Sequence, residues 1–119
     1  MFEGLQDKAN ADPNVRRLGR TCTADFMLMA GDAAFHVSVA AGLVTGVSRG
    51  PFKMRSAAFQ VAASDAAWAR FMTPKPPPGF HDIFAMSATG AARIEGDMAV
   101  LLGHLGFFKA LIASLRQEA

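Results

Sequence analysis

Residues 22–40, CTADFMLMAGDAAFHVSVA, alternate on either side of a Gly31-Asp32 pair. No other stretch restricts the fold as tightly. Successive side chains of a strand point to opposite faces. Cys22, Ala24, Phe26, Leu28 and Ala30 therefore share one face, and Thr21, Thr23, Asp25, Met27 and Met29 the other. Gly in the first central position suits a two-residue hairpin turn. A turn there sets Leu28 opposite Phe35, Phe26 opposite Val37 and Ala24 opposite Val39. All three pairs are apolar and lie on one face, and a one-residue slip would expose the whole set. The other face then holds Asp25, His36 and Ser38.

The rest of the chain reads outward from that hairpin. Asp12-Pro13 is an N-cap followed by Pro at the first helical position. It predicts a short helix over residues 13–18 that Gly19 ends, with Phe2 and Leu5 starting an earlier turn. Ala41-Gly42 makes the next turn into a strand over 43–48, and Gly50-Pro51 breaks the chain. Residues 52–63 alternate weakly and are expected as a fourth strand. Ser64 caps a helix through about residue 72 that carries Trp68. Pro74, Pro76, Pro77 and Pro78 form a stiff connector. A short helix is expected from Phe80, with Phe80, Phe84 and Ser87 or Ala88 on one face and Ile83 beside them. Residues 91–95 read as an edge strand, and Asp97 as the cap of a last helix.

That last helix carries a broad apolar stripe. Met98, Leu101, Leu105, Phe108, Ile112 and Leu115 recur at spacings of three and four, widened by Leu102, Phe107 and Leu111. The stripe is wider than one sheet face needs, so part of it is available to a ligand or to a second copy in a homodimer. Gly103 and Gly106 weaken the helix and permit close packing or bending. His104 and Lys109 interrupt the run, which argues against stable membrane insertion. The order helix, strands, helix, strand, helix predicts an α+β fold. It has a five-stranded, mostly antiparallel sheet covered on one face by helices.

At 119 residues the chain suits a single domain over 1–119. Ten Phe and seven Met stand beside one Trp and no Tyr, an inventory suited to a core or to an adaptable apolar site. Arg16, Arg17 and Arg20 form one small basic group, and Arg49, Lys53 and Arg55 another. Without interleaved aromatics they read as solvated faces, and no nucleic acid partner is expected. The single Cys22 permits no intrachain disulfide, and the N-terminus lacks a signal-peptide pattern, so a cytoplasmic location is expected. No phosphate-binding loop, dinucleotide fingerprint, zinc-type cysteine set or nucleophile elbow occurs, and no cofactor or metal is expected.

The titratable residues offer four weak catalytic candidates, His36, His81, Asp82 and His104. His81 and Asp82 are adjacent, and adjacent residues on a helix face different ways, so they are expected to start a helix rather than form a dyad. His36 and Asp25 are diagonal neighbours across the hairpin and read as an exposed charged pair. Three scattered histidines make no metal site.

Three stretches resemble the sterol carrier protein type-two family. FHVSVAAGLVTGV looks like its paired strands joined at Gly. AFQVAASDAAWARFM resembles its strand followed by a helix. ATGAARIEGDMAVLLGHLGFFKAL resembles its small-residue turn, strand, Gly-Asp and C-terminal apolar helix. The resemblance covers about three quarters of the chain. It implies a sheet and helices enclosing an apolar tunnel that takes fatty acyl chains, acyl-CoA, sterols or similar molecules, with no catalytic residues. The short N-terminal helix and PKPPPG depart from the family pattern. A lipid carrier or sensor is therefore expected, lined by Phe71, Met72, Phe80, Phe84, Met86, Leu101, Leu105 and Phe108. A small isomerase, cyclase or lyase using the same cavity, or a dimeric regulatory module, are the alternatives.

Overall fold

The computed structural model describes residues 2, 4–51 and 56–116. Strands β1 (Ala24–Ala30) and β2 (Ala33–Ala40) form the expected hairpin, with Leu28–Phe35, Phe26–Val37 and Ala24–Val39 as direct partners. β3 (Leu43–Arg49) pairs antiparallel with β2 after a turn in which Ala41 and Gly42 both take positive φ, and the register shifts at Ser38/Val39. β4 (Phe59–Ala63) then returns to the far side of β1 and pairs parallel with it, while β5 (Ala92–Gly96) closes the edge antiparallel to β4. The strand order is β3-β2-β1-β4-β5. Three of the four pairings are antiparallel, as expected, and β1–β4 is parallel. Of the strand anticipated over 52–63, residues 59–63 are strand and 56–58 are not, while 52–55, with Lys53 and Arg55, lie outside the described residues.

α1 (Leu5–Ala11) is a full helix where only a turn was anticipated, and it buries Leu5 and Ala9, with Phe2 buried just ahead of it. Asn10 exchanges two hydrogen bonds with the Val44 backbone, at 2.9 and 2.8 Å, and so ties α1 to the edge strand β3. An edge covered in this way is protected from pairing with another chain. α2 (Pro13–Leu18) starts on Asp12, whose carboxylate accepts from the Asn14 and Val15 amides. α3 (Asp65–Phe71) starts on Ser64, which accepts from the Ala67 amide. The Trp68 indole N–H donates to the Met29 carbonyl at 2.9 Å and clamps α3 to β1. No helix among the described residues is long and apolar enough to cross a membrane.

The C-terminal stripe differs from the single helix expected. It forms α5 (Met98–Gly103) and α6 (Leu105–Ala113), which meet at His104 (φ −129°, ψ 40°). Gly103 and Gly106 flank the break and lower its cost, because glycine is a poor helix former. The change of direction turns Phe107, Phe108, Leu111 and Ile112 inward and leaves Leu105 half-buried and Leu102 exposed.

The core fills one side of the sheet. Phe26 and Phe59 stack at 5.1 Å with rings nearly parallel, and Phe108 meets both edge-on at 5.5 and 4.9 Å. A second group joins Phe35, Phe2, Trp68 and Phe71 through edge contacts of 5.0, 5.2 and 5.6 Å. Such pairs add to the area term of burial. Truncating the ring that joins helix to sheet should be costly. Phe108→Ala is expected to destabilise the fold by about 3–5 kcal/mol, read as a lower urea midpoint with an unchanged slope.

Candidate functional site

The residues anticipated as a pocket wall come from α3, α4 (Ile83–Ala88), α5 and α6, except Met72, just after α3, and Phe80, in the loop before α4. Phe71, Met86, Leu101 and Phe108 are fully buried, and Met72, Phe80, Phe84 and Leu105 are half-buried. Phe71 contacts Trp68, and Phe108 contacts the Phe26–Phe59 stack, so these two lie in different aromatic groups. Open space lies elsewhere. A cavity of about 660 Å³ separates the α1–α2 junction, at Asp7, Lys8 and Ala11, from the end of α6 at Ala113 and Arg116. Another of about 410 Å³ opens where the start of β1 meets the helix break, between Cys22, Thr23, Val100 and His104. A third, of about 540 Å³, lies on the other side of the sheet at Met27, Met29 and Gln60. Burial pushes the Cys22 thiol pKa above its ordinary value, so it stays a neutral, apolar wall.

The segment around α4 (Ile83–Ala88) carries the main electrostatic detail. His81 and Asp82 stand ahead of the helix and not on it. The expectation that they face apart is therefore corrected: His81 Nε2 lies 3.7 Å from the Asp82 carboxylate. Asp82 is the N-cap, accepts from the Ala85 amide at 2.8 Å and pairs with Lys109 of α6 at 3.1 Å. Partial burial raises its pKa, but the Ala85 amide, Lys109 and His81 outweigh this and hold it below the usual carboxylate value.

Arg116 was not singled out by any pattern. Its guanidinium donates to the Phe71, Phe80 and His81 carbonyls and lies 4.5 Å over the Phe71 ring. In the sequence Lys109 stands out only as an interruption of the apolar stripe. Its role depends on Asp82, 27 positions earlier in the chain, and local periodicity carries no information at that range.

The catalytic candidates are not gathered into one site. His36 is buried, 2% exposed, on the side of the sheet away from the main core. Its Nε2 is 3.0 Å from the Ser56 carbonyl and 3.5 Å from Asp25. The exposed pair expected there is half right: Asp25 is exposed and His36 is not. His104 lines the cavity beside Cys22, and His81 is largely exposed beside Asp82. The helix N-termini of α4 and α5 are occupied by the protein's own carboxylates, with Asp97 accepting from the Ala99 and Val100 amides.

This geometry can be set beside known structures. A sterol carrier protein 2 crystal structure superposes with a TM-score of 0.77, covering 98% of this chain and 93% of that one at 17% identity. The fold is sterol-carrier-like. The UbiJ-SCP2 ubiquinone synthesis protein gives 0.61 over 96% and 87% at 14% identity. Apo sterol carrier protein 2 from Yarrowia lipolytica gives 0.57 over 98% and 90% at 12% identity. No protein-family model and no curated protein matches the sequence. The similarity therefore lies in the fold.

Asp82 provides a test of the local electrostatics. A carboxyl whose folded pKa is depressed stabilises the fold above its unfolded pKa of about 3.9, and that contribution fades as pH falls toward the folded value. Asp82→Asn keeps a capping oxygen and should flatten this acid limb. Asp82→Ala should flatten it as well and lose about 1 kcal/mol at neutral pH through the missing cap. Urea midpoints between pH 2 and 7 separate the two effects.

Proposed function

We propose that this chain binds a lipid or other small apolar molecule between the sheet and the helices, as a carrier or sensor. The observation that supports this reading is the sterol-carrier-like fold over nearly the whole of both chains, 98% and 93%. The proposed lining is Phe71, Met72, Phe80, Phe84, Met86, Leu101, Leu105 and Phe108, apolar side chains on or beside several short helices, which would have to part to admit the ligand. The ligand class is a fatty acyl chain, a sterol or a similar molecule, and the binding needs no cofactor.

Burial supplies the driving force. About fifteen methylenes of one long acyl chain yield about 12 kcal/mol gross. Association costs of about 4 kcal/mol leave about 8, which corresponds to a micromolar dissociation constant. Native mass spectrometry of the purified protein, with lipid extraction of the same sample, should show an apolar adduct. Absence of any retained molecule, together with no binding of added fatty acid, would sink the proposal. Phe84→Ala should weaken fatty-acid binding by about tenfold or more, since one aromatic ring contributes about 1.5–3 kcal/mol of burial. Equilibrium titration with a fluorescent fatty acid reads that change.

A further inference from the structure

Residues 79–90 have the construction of a flap. Both ends are glycines in left-handed conformations, Gly79 at φ 88° and Gly90 at φ 83°, where other residues are strained. The ends are also adjacent: a Cβ at Gly79 would lie 3.5 Å from the Thr89 methyl. A compact surface loop with neighbouring ends can move as one body. The proline-rich stretch before it is stiff and fixes the outer side of the hinge.

The inner side of this segment is apolar and its fastening is polar. Ile83 and Met86 are buried, and Phe80 and Phe84 are half-buried. At the rim, Asp82 pairs with Lys109, and Arg116 donates to the Phe80 and His81 carbonyls. Arg116 also donates to Phe71 at the end of α3, so one side chain bridges the flap and its seat. Arg70 of α3 lies 5.7 Å over the Phe80 ring. The backbone tie on the other flank is Ala91 N–H to the Met86 carbonyl, at 2.8 Å.

We infer that residues 79–90 are a gate that swings on Gly79 and Gly90, is latched by Lys109 and Arg116, and on opening admits an apolar ligand in place of the packed contacts that Ile83 and Met86 make beneath α4. The inference rests on the apolar-ligand reading above, and it assigns the entrance. A partly exposed ion pair changes an equilibrium by a factor of about two to five, so the latch is strong enough to bias closure and weak enough to release. Opening exposes Met86 and Ile83 without disturbing the sheet pairings, which involve no residue of the flap. Small hinges next to a site that must exclude water are the usual construction of such gates.

The experiment compares the full chain with Lys109→Met and Asp82→Asn. Lys109→Met retains the apolar stem on α6, and Asp82→Asn retains a capping oxygen. Hydrogen exchange should show amides 83–91 opening independently of β1 and β4. Both substitutions should speed that exchange about two- to fivefold and leave the sheet unchanged. Stopped-flow uptake of Nile red should accelerate by the same factor. Exchange of 83–91 only in step with the sheet overturns the gate. Faster exchange with unaltered Nile red uptake also overturns it as the entrance, while leaving ligand binding in place. Selective opening with no Nile red or fatty-acid binding overturns both the entrance and the apolar-ligand reading, and leaves only the motion.

Discussion

The parallel pairing of β1 with β4 is the constraint on which the rest of this fold depends. It sets Phe59 directly beside Phe26 and Val61 beside Leu28, which makes the central row of the inner face. Phe108 can then meet two stacked rings at once, and α6 is oriented by that contact. Ser64 follows β4 immediately, so α3 leaves the sheet next to β1, and the Trp68 indole reaches the Met29 carbonyl. Among the described residues β5 pairs with β4 alone, and α4 packs at its flank. Every element after residue 58 is therefore placed, directly or at one remove, by one pair of neighbouring strands.

What was legible in the sequence follows the range of the interaction. The β1–β2 register was recoverable to the residue because a two-residue turn and one-sided burial leave a single solution. The Asp12, Ser64 and Asp97 caps were recoverable because each acts within three residues. The β1–β4 pairing was not, because the chain crosses from the far edge β3 to the opposite side of β1, and alternation carries no record of that crossing. The apolar spacing predicts a helix from residue 80, but the Asp82 carboxylate competes for the Ala85 amide and sets the start at Ile83.

The C-terminal region shows the same limit from another side. Spacings of three and four from Met98 to Leu115 fit one long helix, and periodicity cannot tell that from two helices in nearly the same phase. The two flanking glycines were the available sign of bending. The buried His36 left less of a sign. Its position on the outer face was readable from the register, but its burial is set by three-dimensional packing, including the Ser56 carbonyl at 3.0 Å. The candidate wall was readable by residue type, as apolar side chains on successive helices. Its polar fastening was not, since Arg116 acts on carbonyls 35 to 45 positions away.

A protein of this size that takes up an apolar guest faces a conflict. The interior must be apolar to hold the ligand, yet an apolar interior closes on itself and resists being opened. On the apolar-ligand reading proposed above, the division of labour in this chain answers that conflict. The sheet is held by ladders and stacked aromatics, which resist local opening. The covering helix α4 is six residues long, buries two side chains, and is fastened at its rim by charges. Charged groups at a rim exchange protein partners for water at small net cost, whereas buried rings do not. In the gate proposed above, a polar fastening over an apolar seat keeps the closed state ordered and leaves the cost of opening mainly to Ile83 and Met86. Apolar atoms of an entering ligand can replace those contacts.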